Sequence, residues 1–387
     1  MRIFVLGTGA TGSLLARLLI RQGHQVTCGD RSPDRARRFL GRKSSIPIRQ
    51  VNARNLWSIV KAARGCHLIV NASTAVLNKI VLRAALRLRA HYLDTASHQT
   101  DAPFQAEQLR FSKQFLAKRR TAVINAGAAP GLTNLLVARS ADLLDGIEAV
   151  YIRLYESTGS DEPVSQWSSA GAFDEAVSRP RVYRNGRFRF GKRFGEREVF
   201  RFPSPIGPVG VVLAAQDEVV TLPRIVGMQE MDVKIGGNDF ERLRRWYRQG
   251  KLRKAHGPGA NRFPQTPTPR QMATLVARGA LYHARFAAAV VARGHKSERH
   301  AVIRWDARFP TLRQTRRREV FTSPVAWATA HMAALFVKHF PRALPGVHSP
   351  EALPAKTRQA ILAGARSYGI RIARRITLLK SLDEDEG

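Results

Sequence analysis

The sequence predicts an α/β fold in which a doubly wound parallel sheet is followed by a second α+β domain built on a mixed sheet. Three observations carry that expectation. Over the first 127 residues, six short apolar runs alternate with segments of helical period. After Gly131 the pattern changes to residue-by-residue alternation, the mark of antiparallel strands with one buried face. An Asn-Gly pair flanked by alternating residues at 182–190 signals a hairpin. A length of 387 residues also exceeds one typical hydrophobic core, so two domains are expected.

The elements follow in order. Residues 2–6 (RIFVL) read as a strand buried on both faces, and Leu14, Leu15, Leu18 and Leu19 form the apolar stripe of a helix over 10–21. A strand at 24–30 precedes a helix at 32–42, with Ser32 as its N-cap and Pro33 in its first turn. Strands at 47–51, 67–73, 91–95 and 121–127 alternate with helices at 55–63, 76–89 and 104–118. Right-handed crossovers place the strand ends of such a unit on one edge of the sheet, the Rossmann arrangement.

In the second half, strands are expected at 147–155, 182–190 (the hairpin), 209–215, 231–237 and 300–308, and helices near 270–293 and 325–339. A helix at 354–366 and a strand-like run at 369–376 close the chain. The expected boundaries are 1–130 for the Rossmann domain and 131–340 for an α+β substrate or dimerisation domain. Residues 341–387 are expected to pack back on the first domain.

The chain carries 64 basic and 29 acidic residues, a formal charge of +35. Such a charge draws a protein toward nucleic acid or other anionic surfaces. The arginines are scattered rather than gathered, however, so a generally arginine-rich composition is the preferred explanation. Cys28 and Cys66 are too few for a disulfide framework or a zinc site, no metal ligands are assigned, and a reducing, cytoplasmic setting fits. The apolar run at 324–337 is shorter than the ~20 residues a membrane span needs and is interrupted by His331, so a buried helix is expected.

Glycines at 7, 9 and 12 fall between the first strand and the first helix. Gly-x-Gly-x-x-Gly in that position permits a tight turn, lets main chain approach a pyrophosphate, and lets helix and strand pack closely. The helix start, with Ala10 and Thr11, then offers free N–H groups and a positive dipole end to phosphate. Asp30, 18 residues beyond Gly12 at the end of the second strand, is placed to take ribose hydroxyls. The expected cofactor is therefore NAD or NADP. Asp30 repels a 2′-phosphate while Arg31 offsets it, and the balance tips slightly to NAD. Asn71, Ala72 and Ser73, Thr95, and Asn125, Ala126 and Gly127 end later strands on the same edge and complete the expected cofactor-binding set.

At 124–135, INAGAAPGLTNL resembles the saccharopine dehydrogenase family, of the reductase and bacterial type. HYLDT (91–95), FPSPIGPVG (202–210), TLPR (221–224) and GVHSPEALP (346–354) extend the resemblance over nearly the whole chain. It implies a Rossmann domain completed in part by the C-terminal segment, an inserted substrate domain, and NAD(P)-dependent chemistry at an amine-bearing carbon of an amino-acid-derived substrate. Many relatives have His-x-Glu before TLPR, where this chain has Gln216-Asp217-Glu218.

Hydride transfer to an imine needs a proton donor and acceptor beside the nicotinamide. His98 and Asp94, in the loop after the fifth strand, are the catalytic candidates, since imidazole titrates near neutrality. The resemblance favours Arg224 for a substrate carboxylate, to which guanidinium binds in bidentate fashion. A small, carboxylate-bearing molecule is the expected partner, with a homodimer left open and no membrane span. Two further readings stand beside this one: a non-catalytic NAD(P)-binding protein whose basic surface meets an anionic partner, and an enoyl reductase acting on a lipid precursor. The stretch 242–254 mixes Arg and Lys with Trp246 and Tyr247 and reads as a helix with a solvated basic face and buried aromatic anchors.

Overall fold

The computed structural model describes residues 1–41, 43–98, 104–251, 264–317 and 321–379. The first sheet is parallel throughout. It contains β1 (Arg2–Leu6), β2 (Gln25–Asp30), β3 (Ile48–Gln50), β4 (Leu68–Asn71), β5 (His91–Asp94) and β6 (Thr121–Val123), the six strands expected from the sequence. From the outer edge the order runs β3-β2-β1-β4-β5-β6, so the progression of strand order reverses beside β1, the point at which sheets of this kind receive ligands outside their strand ends. Within β1, Ile3 and Val5 enter one apolar core and Phe4 and Leu6 the other, as a strand covered on both faces requires.

The second sheet begins with β7 (Gly146–Ser160) and continues with β8 (Arg181–Arg184), β9 (Arg187–Phe190), β10 (Glu198–Phe202), β11 (Gly207–Leu213), β12 (Glu230–Gly236), β13 (Leu281–Lys296) and β14 (Arg299–Arg308). It is mixed: β12 and β7 run parallel and the remaining pairs antiparallel. The β8–β9 hairpin turns at Asn185 and Gly186 with φ of 51° and 68°, the left-handed pair its sequence signalled. After β14, β15 (Gly346–His348) returns to pair with β6 in the first sheet, and β16 (Arg371–Leu378) pairs with β14 in the second.

Two expectations are thereby revised. The alanine-rich run to residue 293, read as helix, is helical only at Pro269–Ala277 and then becomes β13. That strand lies between β7 and β14 with most of its residues buried, and tertiary packing of small side chains overrides alanine's helical preference. The C-terminal segment, in turn, is shared between both sheets rather than packing on the first alone. The apolar helix Pro324–Lys338 is buried as expected and lies against the first helix, Ala10–Arg21, where Gln22 Nε2 donates to the Ala334 carbonyl at 3.1 Å. His331 is accommodated inside it by donating Nδ1–H to the Trp327 carbonyl at 2.8 Å and stacking on that indole. Among the described residues, no helix is long and apolar enough to cross a membrane.

One glycine shows how tightly β13 is held. A Cβ at Gly294 would stand 1.9 Å from the Gly146 carbonyl oxygen, at an irregularity in the β13–β7 register. Gly294→Ala is expected to destabilise the chain by about 2 kcal/mol or more, read as a lower urea midpoint at unchanged slope.

Candidate functional site

The site is built from the bend between β1 and the helix Ala10–Arg21. Gly7 adopts φ +90°, and a Cβ there would stand 2.7 Å from Ser73 N. At Gly12 a Cβ would stand 1.9 Å from the Gly7 carbonyl oxygen and 3.1 Å from Ala72 Cβ. These two glycines therefore serve close packing. Gly9 differs: its main chain is extended (φ −82°, ψ −158°), and a Cβ there would meet nothing within 4 Å. As N-cap it offers no side chain to the first-turn N–H groups, and that turn contains no acid to compete with an anion. Uncapped N–H groups beside open space are what a diphosphate requires.

Asp30 ties the bend to β2. Its Oδ2 accepts Thr8 N–H at 2.8 Å and its Oδ1 accepts Ser32 N–H at 3.0 Å, leaving lone pairs on both oxygens for hydroxyl donors. Arg31 beside it is exposed.

The ends of β4, β5 and β6 form the floor. Asn71 Oδ1 accepts Ser73 N–H at 3.1 Å, Asn71 Nδ2 donates to Asn78 Oδ1 at 2.7 Å, and Asn78 Nδ2 donates to the Ala96 carbonyl at 2.8 Å. Thus one amide pair holds the loops after β4 and β5. Asp94 is buried, with Oδ1 accepting Asn125 N–H at 2.8 Å and Oδ2 accepting Gln108 Nε2–H at 3.0 Å. Gln108 reaches Ser97 Oγ at 3.0 Å, and Ser97 Oγ–H donates to Asn125 Oδ1 at 2.7 Å. Asn125 is in the left-handed region (φ 57°), and its Nδ2 is a buried donor lacking an acceptor among the described residues. Thr95 and His98 are partly buried, whereas Ala126 and Gly127 are buried. Residues 99–101, beyond His98, lie outside the described residues.

The second domain faces this edge with acids. Ser97 N–H donates to Asp217 Oδ2 at 2.8 Å. Thr133 Oγ1 donates to Glu218 Oε1 at 2.7 Å, and Asn134 Nδ2 donates to Glu351 Oε2 at 3.0 Å. The Leu-Thr-Asn turn after Gly131 therefore acts as a polar clasp for two buried carboxyls. Desolvation raises these groups: Asp94 to about 7, Asp217 to about 6 and Glu218 to about 7, the last two against Ser97 and Thr133 hydrogen bonds that pull the other way. Gln216 Nε2 donates to Glu175 Oε1 at 2.6 Å, and burial lifts Glu175 to about 8.

The residues that the sequence points to divide accordingly. Gly7, Gly9, Gly12, Asp30, Asn71, Ser73, Asp94, Asn125 and the Thr95–His98 loop share the strand-end edge. Asp94 is enclosed by protein donors, the Asn125 N–H and the Gln108 side-chain amide. Arg224 is exposed, with its guanidinium donating to the Phe104 carbonyl at 2.9 Å and standing 5.0 Å from the Phe188 ring centre. Sequence reasoning misses Asp217, Glu218 and Glu351, although the Gln216-Asp217-Glu218 departure is a signal pointing there. Away from this edge, Glu148, His295 and His300 bring ligand-type atoms within 4.8 Å of one another at the β13–β14 turn, a grouping that sequence spacing does not suggest.

Comparison with known proteins agrees with this architecture. Residues 3–123 match the family model described as the saccharopine dehydrogenase NADP binding domain, so this segment is a dinucleotide-binding domain of that kind. The structure resembles apo saccharopine dehydrogenase (L-Glu forming) from Saccharomyces cerevisiae, with TM-score 0.71 and 11% identity over 97% of this chain and 99% of that one. A probable dehydrogenase from Thermotoga maritima aligns at TM-score 0.43 and 10% identity, covering 97% and 98% of the two chains. A mutant meso-dapdh from Clostridium tetani aligns at 0.40 and 11%, covering 92% and 95%. No curated protein matches the chain. At 11% identity the likeness to the yeast enzyme establishes the fold alone: a Rossmann sheet with a mixed-sheet second domain.

Proposed function

We propose that this chain, whose first domain is of the saccharopine dehydrogenase NADP-binding kind, is an NAD(P)-dependent oxidoreductase. It transfers hydride at an amine-bearing carbon of an amino-acid-derived substrate. The observation that carries the reading is the bend at Gly7, Gly9 and Gly12: two glycines locked by packing and one opening on space beside uncapped N–H groups. That main chain would hold the diphosphate, and the free lone pairs of Asp30 would take ribose hydroxyls. The buried Nδ2 donor of Asn125 suits a carbonyl acceptor of the coenzyme or substrate. When bound, the nicotinamide supplies hydride to, or takes it from, the carbon attached to nitrogen. His98, in the loop after β5, exchanges the amine proton with solvent. Asp94 is a positioning residue that sets Asn125 and Gln108.

The test begins with titration of the protein by NADPH and NADH, followed by coenzyme-oxidation assays with oxo acids paired with lysine, diamines and other amines. Saturable binding and amine-dependent oxidation are expected. Binding of neither coenzyme would remove the reading, and binding without turnover on any pair would leave a non-catalytic binding protein. For the proton step, His98→Gln is expected to lower kcat at least 100-fold while coenzyme Kd stays within about twofold. An unchanged kcat would assign the proton to water.

A further inference from the structure

Apart from the strand-end edge, the second domain contains a small open recess, about 30 Å³ in volume. It is lined by Glu156 of β7, Glu175 of the helix Ser169–Val177, Asp239 of the helix Asn238–Arg248, and by Gln166, Trp167 and Trp246. In a chain with 64 basic and only 29 acidic residues, three carboxylates converging on one recess run against the overall charge.

One of the three is neutralised. Asp239 Oδ1 accepts Arg242 at 2.8 Å, and Arg242 also donates to the Val164 carbonyl at 3.2 Å and lies against Trp246. Asp239 Oδ2 accepts Thr158 Oγ1–H at 2.6 Å and Gln166 Nε2–H at 3.1 Å. That second contact fixes the Gln166 amide, because only its nitrogen can donate to a carboxylate. The Gln166 carbonyl oxygen is consequently an acceptor without a partner among the described residues, on a side chain 3% exposed. Glu156 and Glu175 have no basic partner of their own among the described residues: Glu156 is met by the Trp167 side chain and Glu175 by Gln216. The recess thus offers acceptors on one side, an unpaired carbonyl among them, and two indole walls on the other. An ammonium has three donors and no acceptor, and alkyl carbons attached to it pack on aromatic faces.

We propose that this recess seats the ammonium end of a primary alkylamine, received by Glu156, Glu175 and the Gln166 carbonyl, with Trp167 and Trp246 flanking its methylenes. The site is joined to the coenzyme edge through Glu175, Gln216 and the adjacent Asp217, which holds Ser97. Its role as a substrate seat rests on the oxidoreductase reading above, but its occupancy does not. Burial and like-charged neighbours (Asp239 and Glu175 for Glu156; Asp217 and Glu218 for Glu175) hold both glutamates above their ordinary range, with Arg242 opposing for Glu156. A bound cation favours their ionised form, so binding near neutrality expels a proton.

The full chain without coenzyme is titrated calorimetrically with 1-aminobutane and 1,4-diaminobutane, and with butan-1-ol and butyrate as probes of equal length. Both amines are expected to saturate and to release protons, seen as a dependence of the heat on buffer ionisation. The alcohol and the carboxylate are expected to bind at least tenfold more weakly. Glu156→Gln and Glu175→Gln should each weaken amine binding at least tenfold while leaving NADPH affinity within twofold, which reports an intact fold. Equal affinity for 1-aminobutane and butan-1-ol, wild-type amine affinity in Glu156→Gln, or absence of amine binding by a protein that takes up NADPH overturns the proposal. Loss of NADPH binding alone, with amines still bound, would defeat the oxidoreductase reading and leave the ammonium seat standing.

Discussion

Gly9→Val yields a chain that folds like the parent and has lost its coenzyme, with affinity for NADPH or NADH reduced at least 100-fold. The expectation comes from the contrast among the three glycines of the bend. Gly9 has an extended backbone open to any residue, and its Cβ would meet nothing within 4 Å. A valine there strains nothing in the free protein and places its methyl groups where a diphosphate must approach the uncapped N–H groups. Gly12→Ala behaves oppositely. Its Cβ would stand 1.9 Å from the Gly7 carbonyl oxygen, so helix and strand must separate, at a cost of about 3 kcal/mol or more. Gly7→Ala combines φ +90° with a 2.7 Å approach to Ser73 and belongs with Gly12. Thermal melting beside coenzyme titration separates the two behaviours. A Gly9→Val protein with parental affinity would mean that the open face of the bend is not where phosphate sits.

The second large effect is a loss of stability as pH rises from about 5 to 8. Asp94, Asp217, Glu218 and Glu175 are raised by burial to about 7, 6, 7 and 8. Between its ordinary value and its raised one, each carboxyl holds its proton in the folded state and has lost it in the unfolded state. The folded state then binds more protons, and stability falls with increasing pH. His91 works in the other direction: burial lowers it to about 4, so the unfolded state takes up the extra proton on acidification. That contribution is complete by about pH 6.5, and above it only the carboxyls continue to titrate. One histidine does not offset four carboxyls that titrate over the same range, so stability is expected to decline by several kcal/mol from about pH 5 to pH 8, measured by urea denaturation without coenzyme. Glu218→Gln keeps the Thr133 hydrogen bond through its carbonyl and removes one titrating group. It should recover up to about 3 kcal/mol of the decline, since a tenfold difference in proton affinity between folded and unfolded chains is worth about 1.4 kcal/mol. A flat profile across this range would show that these carboxyls remain ionised and solvated in the folded chain.

These carboxyls and the recess also mark where sequence reading reaches its limit. The glycine bend is legible because its constraints are local: a strand, a turn and a helix start within twelve residues, each with its own period. Asp30 is legible because a parallel neighbour brings the end of β2 beside that bend. By contrast, Glu156, Glu175 and Asp239 lie on three elements separated by 83 residues of chain, and no periodicity links them. The resemblance assigns Arg224 to a substrate carboxylate, and only the tertiary structure sets that exposed guanidinium against the Phe104 carbonyl and the Phe188 ring. Asp94 reads from the sequence as a catalytic candidate in the loop after the fifth strand, and only the tertiary structure shows Asn125 and Gln108 enclosing it.

The sequence by itself determined the order of the six parallel strands' segments, the phosphate-type turn and the Asn-Gly hairpin. Each depends on backbone preference and on a hydrophobic period readable over a few residues. Only the tertiary structure decided that the alanine-rich run after Gly279 is a central strand, that the C-terminal segment divides between two sheets, and that scattered acids share one recess. Those outcomes depend on which distant surfaces meet: burial against long-range neighbours outweighs alanine's small helical preference, and it brings together charges that chain order keeps apart.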